Sequence, residues 1–528
     1  MKKTLLLSTL AALLCLGAAA QTSPYSYPDG LPRSTPEAQG VRSEAIADFF
    51  RALDEGGYEV HGIMILRHDY VIVEHWWYPY APQIKHAMYS NTKTWTATAI
   101  GFAVQEGLLK VSDRVMDFFP DLLPEHPAPE LASLTVKHLL SMSAGHRSTY
   151  YEGSGDDQVR AFLAMDYAHA PGTSFAYNIT CSHMLSQIIT RVTGETLYEY
   201  LRPRLMDPLG ISEDIVWEMD LSGRNMGNGG MHARTSDLAK FGTFLKNKGR
   251  WGGKQLLDPA WIEDMTTPHI WQNTDRDPAI NAQDDGSQGY GYQTWMGRHG
   301  SWRAIGASNQ LTMVIPDSDV VVAVHASIGD ENGFNSLVYQ LCDTMEDGVI
   351  DPYVQFDLNA FLAGYALKMP FAPGDPAAAL RSCTRRFAME QNAYGIRTVD
   401  FRFDKDGNTY LTLEGDAFTT NIPFGLDGWK YGSTDRKPAF GRMVYANMMG
   451  VTPYETAGSC SWTGPGELSA YCLSMFNVGV SETFRFRFDG DDFTMTVAAP
   501  AGRGSAPAAS DLILTGTLIR TTTRTTPF

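Results

Sequence analysis

At 528 residues, 44% hydrophobic and 19% charged, the chain is too long for one ordinary core and too globular in composition for a disordered or fibrous protein. Its 42 basic against 59 acidic side chains give a formal charge of -17, which repels phosphate backbones and anionic lipid, and no Lys/Arg stripe offsets it. Two folded units are expected, and nucleic-acid binding is set aside.

Residues 1–20 read as a signal peptide: Lys2 and Lys3, an apolar run from Leu5 to Ala19, then Ala18-Ala19-Ala20 before Gln21. The run is shorter than a bilayer span of about 20 residues, so an exported, periplasmic or secreted protein with no membrane span after cleavage is expected. Residues 21–40, rich in Pro, Ser and Tyr, form a lead-in. Ser43 to Leu53 has helical periodicity, and His61–Arg67 and Tyr70–Trp77 pair as a hairpin around His68-Asp69. The aromatics Trp76, Trp77, Tyr78 and Tyr80 read as core packing. A helix is expected from Ser90 to about Leu108, with others at Val136–Ser141, His183–Val192, Leu197–Leu201 and Ser236–Lys246. Strands return at Ser301–Ala304, Gln310–Ile315 and Val320–Ala326, before a helix over Asn335–Met345. Strands from both ends therefore make one antiparallel sheet flanked by helices, with a mainly helical lobe inserted. This α+β unit covers 41–348, and a cleft between sheet and lobe is the natural site.

Residues 349–378 shift to Pro, Ala and Gly and read as a linker. Residues 379–528 carry short alternating runs at Ile396–Phe403, Thr409–Leu413, Gly441–Tyr445, Leu468–Phe476, Phe484–Phe488, Phe493–Val497 and Leu512–Ile519, a smaller all-β, barrel-like domain. Cys460 and Cys472 flank Gly464-Pro465-Gly466 almost symmetrically; they either face each other across a hairpin or stand as two unpaired strand residues.

Chemistry enters at Ser90-Asn91-Thr92-Lys93. Residues three apart share a helix face, so Lys93 reaches the Ser90 hydroxyl, and a lysine accepts that proton only when burial lowers its pKa. Met88, Trp95 and Ala97 supply apolar flanks. Pro171 to Asn178 forms a turn ahead of an apolar helix, with Tyr177 at its entrance as a candidate proton relay. Gly306 ends a strand where close backbone approach lets the next N–H, that of Ala307, point at an oxyanion. His86, His146 and His232 read as structural donors or lip residues, and no cluster has zinc spacing.

The segments HGIMILRHDYVIVEHWWYPY, MYSNTKTWTATAIGFAVQEGLLKVSDRVMDFFPD, LTVKHLLSMSAGH, PGTSFAYNITCSHMLSQIITRVTGETLYEYLRPRLMDPLGI, GGMHARTSDLAKFGTFL and GYGYQTWMGRHGSWRAIGASNQLTMVIPDSDVVV resemble the class C β-lactamase-like serine hydrolases, in that family's order over about residues 41–347. The resemblance implies a β-lactamase/transpeptidase-like fold, Ser90 as acylated nucleophile, Lys93 as its helical partner and Tyr177 as proton shuttle. It also implies an oxyanion hole from the N–H groups of Ser90 and Ala307, and no metal or organic cofactor.

Two departures bear on substrate. Those β-lactamases carry an Asn two residues after the Tyr, where this chain has Ile179; Asn178, one place early, is the only nearby amide and is expected beside the substrate with Gly306 and Ala307. Their strand motif opens on Lys or His, where this chain has Ala304, and the adjacent Arg303 is on the opposite strand face. Tyr177-Asn178 and the Gly306 to Gln310 spacing are similar to the family's esterase and amide-hydrolase branches. The expectation is an exported serine hydrolase cleaving a small-molecule ester or amide. An acyltransferase passing the acyl group to an alcohol acceptor is the alternative. A β-lactamase or D-Ala peptidase, and an inactive binding protein, rank below both.

Overall fold

The computed structural model describes residues 29–147, 155–351, 356–375, 379–416, 418–434, 453–476, 478, 481–498 and 511–520. The expected signal peptide and the run at Gly441–Tyr445 lie outside the described residues. The described end of the lead-in is fastened by Arg33, whose guanidinium bridges Asp29 and Glu74.

Helix α1 (Ser43–Glu55) buries Ile46, Phe49, Phe50 and Leu53 along one face. Strands β1 (Glu59–Arg67) and β2 (Tyr70–Trp76) follow, joined by His68 and Asp69 at φ 52° and 67°. Two consecutive left-handed residues match the twist that a two-residue hairpin requires. After the inserted lobe come β3 (Trp295–Met296), β4 (Trp302–Gly306), β5 (Gln310–Ile315) and β6 (Val320–Ser327). The sheet order is β2-β1-β6-β5-β4-β3, antiparallel throughout, so the unit closes where β6 pairs with β1.

Both sheet faces are covered. Ile63 and Ile65 of β1 pack with α1 and with α5 (Glu331–Asp343), while Met64 and Leu66 pack with the lobe. A strand buried on both faces reads as an unbroken apolar run rather than an alternation. The lobe contributes α2 (Thr92–Gln105), α3 (Ile179–Thr193) and α4 (Thr235–Lys246). Helix α4 lies directly on the sheet because Gly242 has no side chain: a Cβ there would fall 2.6 Å from Val321 Cγ1 and 2.9 Å from Thr312 Cγ2. Trp76 and Trp77 are core residues, Trp77 stacking on Phe50 at 5.4 Å, whereas Tyr78 is exposed.

The connecting stretch holds a short helix, Leu358–Leu362, whose two leucines pack into the core beside α1. Beyond it run β7 (Cys383–Met389), β8 (Ile396–Phe403), β9 (Thr409–Gly415), β10 (Thr419–Leu426), β11 (Lys430–Thr434), β12 (Tyr454–Gly464), β13 (Glu467–Ser474), β14 (Glu482–Asp489), β15 (Asp492–Val497) and β16 (Leu512–Leu518). Nine of these described strands form a closed barrel, β10-β9-β8-β7-β16-β15-β14-β13-β12, sealed by parallel pairing of Gly425 and Leu426 with Ser459 and Cys460. The interior is packed with aromatics, Phe387, Phe401, Phe486 and Phe493 among them. The expected class, a helix-flanked antiparallel sheet with a helical insertion and then a barrel, is the one observed. On the cysteines the register decides: Cys460 is opposite Ala470 and Cys472 opposite Gly458, and both are free thiols.

Phe401 is fully buried, with its ring against those of Phe403, Phe486, Phe488 and Phe493. Truncating such a residue removes transfer energy and leaves a cavity, so Phe401→Ala is expected to destabilise the barrel by about 3–5 kcal/mol. Chemical denaturation followed by tryptophan fluorescence measures this, and a midpoint equal to the wild type's contradicts it.

Candidate active site

Ser90 occupies a single tight turn, Tyr89–Asn91, that runs straight into α2. That helix is buried on all sides from Thr92 to Ala103, a setting open only to an interior helix. Two neighbours fix the turn against the sheet. The Asn91 amide nitrogen lies 3.1 Å from Ala304 O, 3.1 Å from Gln310 O and 3.3 Å from Thr312 Oγ1. At Gly306 a Cβ would fall 2.0 Å from Met88 O and 3.1 Å from Ser90 N, so only glycine lets β4 approach this closely.

Lys93 Nζ lies 2.9 Å from Ser90 Oγ and 2.6 Å from Asn228 O. The side chain is 1% exposed, and burial, which penalises the charged ammonium, pushes its pKa down from 10.5 to about 7. The amine also lies 5.1 Å from the ring centroid of Tyr177, and that ring stacks on Trp295 at 5.5 Å. The structure thus brings Tyr177 to the Ser90–Lys93 segment from a distant part of the chain.

Ala307 starts the turn between β4 and β5, in which Ser308 and Asn309 both take positive φ. Gln310 holds this turn, its amide donating to Ala307 O, Ser308 O and Ala326 O at 3.1, 3.3 and 2.7 Å. Asn178, expected beside the substrate, has a different task. It is buried as the N-cap of α3, its side-chain oxygen accepting from the backbone N–H and the hydroxyl of Thr180. Ile179 is the residue that reaches the cleft instead.

The cleft is small, about 80 Å³, and is lined by Tyr89, Ser90, Lys93, Ile179, Met226, Glu218 and the backbone from Asn228 to Gly230. Glu218 escaped sequence reading because nothing local marks it; His232 donates to it across 2.8 Å from within a small ribbon of Val216–Trp217 and Met231–Ala233. Asn228 was missed as well, although its place in a Gly-Asn-Gly-Gly run is a signal for backbone approaching a ligand or side chain. His86 is buried against His61 and His325, and His146 packs on Phe162 and Tyr167, so both are structural. Among the described residues no group of three or more His, Cys, Asp or Glu could hold a metal ion, and no helix is long and apolar enough to cross a membrane.

Comparison with known proteins gives the chain a family. The family model described as Beta-lactamase matches residues 46–339. The chain is 22% identical to the 6-aminohexanoate-dimer hydrolase of Paenarthrobacter ureafaciens over 320 residues, 56% of this chain and 80% of that protein. Among solved structures, the octameric penicillin-binding protein homologue of Pyrococcus abyssi aligns with a TM-score of 0.45 at 17% identity, over 89% of this chain and 99% of its own. EstCE1, described as a hydrolase with promiscuous acyltransferase activity, aligns with a TM-score of 0.46 at 17% identity, over 57% of this chain and 98% of its own.

The amine near Ser90 is largely free base above pH 7 and ammonium below it, and only the free base accepts a proton. Covalent labelling of Ser90 by a fluorophosphonate should therefore accelerate as pH rises through about 7, with one deprotonation. Lys93→Arg, which stays cationic, should slow labelling at least about a hundredfold at every pH. A flat profile, or labelling of the Arg variant at wild-type rate, contradicts this assignment.

Proposed function

The chain belongs to the beta-lactamase family of hydrolases, and from that premise we propose that it is an exported acyl-serine hydrolase cleaving an ester or amide of a small molecule. The observation that carries this reading is the buried, near-neutral Lys93 amine 2.9 Å from Ser90 Oγ.

In the proposed cycle the free-base Lys93 accepts the Ser90 hydroxyl proton while an N–H of the same amine donates to Asn228 O. Ser90 Oγ attacks the substrate carbonyl, and the developing oxyanion takes hydrogen bonds from the N–H groups of Ser90 and Ala307. The close approach at Gly306, which brings β4 against the Ser90 turn, favours that convergence. Tyr177, beside Lys93, passes the proton to the departing alcohol or amine, and water then resolves the acyl-enzyme by the reverse transfers. An added alcohol can take the place of water, which is the acyltransferase variant of the same cycle.

Three residues favour an ester or amide over a β-lactam. Ile179 presents an apolar wall where an amide would grip an acylamino group, and Ala304 offers no cation to a carboxylate. Arg303 cannot substitute, because its guanidinium is bound to Glu331 and Met296 O on the far side of β4. The relative from Paenarthrobacter is itself named a hydrolase of a small dimer. Export rests on the leader-like sequence before Gln21.

Purified protein and its Ser90→Ala variant should be assayed on short- and medium-acyl nitrophenyl esters, an acyl amide and nitrocefin. Ester or amide turnover is expected, lost by at least about a thousandfold in the variant, with nitrocefin left intact. Rapid nitrocefin cleavage would overturn the substrate assignment, and no turnover of any member together with no labelling of Ser90 would overturn the enzyme reading.

A further inference from the structure

We infer that the C-terminal barrel is a working part of the active site: it holds the segment leading into Ser90, with Tyr89 as the positioning residue. The inference rests on Ser90 being the nucleophile.

Tyr89 has φ 46°, a left-handed conformation that a bulky residue keeps only where its surroundings impose it. The barrel supplies part of that constraint through two backbone carbonyls just after β13. Val478 O accepts the Tyr89 hydroxyl at 2.9 Å, and Phe476 O accepts the Ala87 N–H at 2.6 Å. On the other edge of the same segment, His86 and Ala87 pair with Ala233 and His232, and Met88 N–H donates to Met231 O at 2.8 Å. The ribbon edge that would otherwise be open is thus closed by the barrel. Gly306 presses on the third side, against Met88 O and Ser90 N.

The segment His86–Tyr89 is therefore gripped by ribbon, sheet and barrel, and its next atom is the Ser90 nitrogen. The peptide between Tyr89 and Ser90 carries one proposed oxyanion donor and sets the direction of the Ser90 side chain. Releasing the Tyr89 hydroxyl from Val478 O frees this peptide to turn toward an unstrained conformation. Oγ and the donor then move together, away from the geometry that attack requires, while the substrate-binding walls at Ile179 and Met226 are untouched and the ring of Tyr89, which also lines the cleft, is kept when only its hydroxyl is removed. A barrel whose own interior is filled with aromatic side chains has little room for a ligand, so its contribution is made from its rim.

The test uses full-length Tyr89→Phe, which keeps the ring and removes only the hydroxyl. Fluorophosphonate labelling of Ser90 and kcat on the best ester are expected to fall at least about tenfold, with KM within about twofold of wild type. A purely structural role would instead reduce the folded fraction and leave kcat per folded molecule unchanged, and that result overturns the inference. Hydrogen exchange on the wild-type protein gives a second reading that needs no variant. The Ala87 amide should exchange as slowly as the core of β13, and exchange of Ala87 on mixing would overturn the clamp. Failure of wild-type Ser90 to label at all would strike the proposed enzyme activity rather than the barrel's role, so the two failures are distinguishable.

Discussion

Everything distinctive in this molecule depends on keeping one lysine amine dry. Lys93 is enclosed by a helix buried on every side, and with solvent excluded its charged form loses the hydration that holds an ordinary lysine protonated far above neutrality. The same burial fixes its distance to Ser90 Oγ, so one constraint sets both the basicity and the geometry of the pair. Asn228 O completes the arrangement by giving the amine a fixed backbone acceptor beside Ser90 Oγ.

A buried helix start needs its surroundings built around it, and the rest of the fold can be read in that light. Asn91 joins the Ser90 turn to the ends of β4 and β5, and Gly306 lets β4 reach the turn's backbone. Gly242 lets α4 lie flat on the sheet, and α4 in turn places Phe241 against Trp95, stacked at 3.9 Å on the helix that carries Lys93. The barrel adds the remaining edge. Tyr431 donates to Pro79 O at 2.6 Å, while Leu473 and Met475 share a core with the helical lobe, so the two units meet through packed surfaces rather than a loose tether.

Much of this was legible in the chain because it is local. The hairpin at His68-Asp69, the α2 pattern and the strands at Gln310 and Val320 each announce themselves by period and turn chemistry, and Ser-x-x-Lys is one helical turn. Four strands of the C-terminal domain gave no such sign. Arg385-Arg386 interrupts β7, Pro423 stands inside β10, β11 is only five residues long, and β12 is rich in Gly and Ser. Asn178 was misread for a different reason: a polar residue at a helix entrance can face solvent or cap the helix, and only the Thr180 contact distinguishes the two. Asn228, Glu218 and the barrel carbonyls at Phe476 and Val478 meet Ser90's surroundings only after distant segments have folded together, and a carbonyl oxygen has no signature in a sequence at all.

The most direct measurement is an NMR titration of the lysine side chains in the intact protein, with Lys93 assigned by its absence in Lys93→Arg. A Lys93 amine that titrates near pH 7, far below the exposed lysines, is what this account requires. A Lys93 titrating with the rest, at about 10.4, would leave Ser90 without a base and contradict the account at its centre.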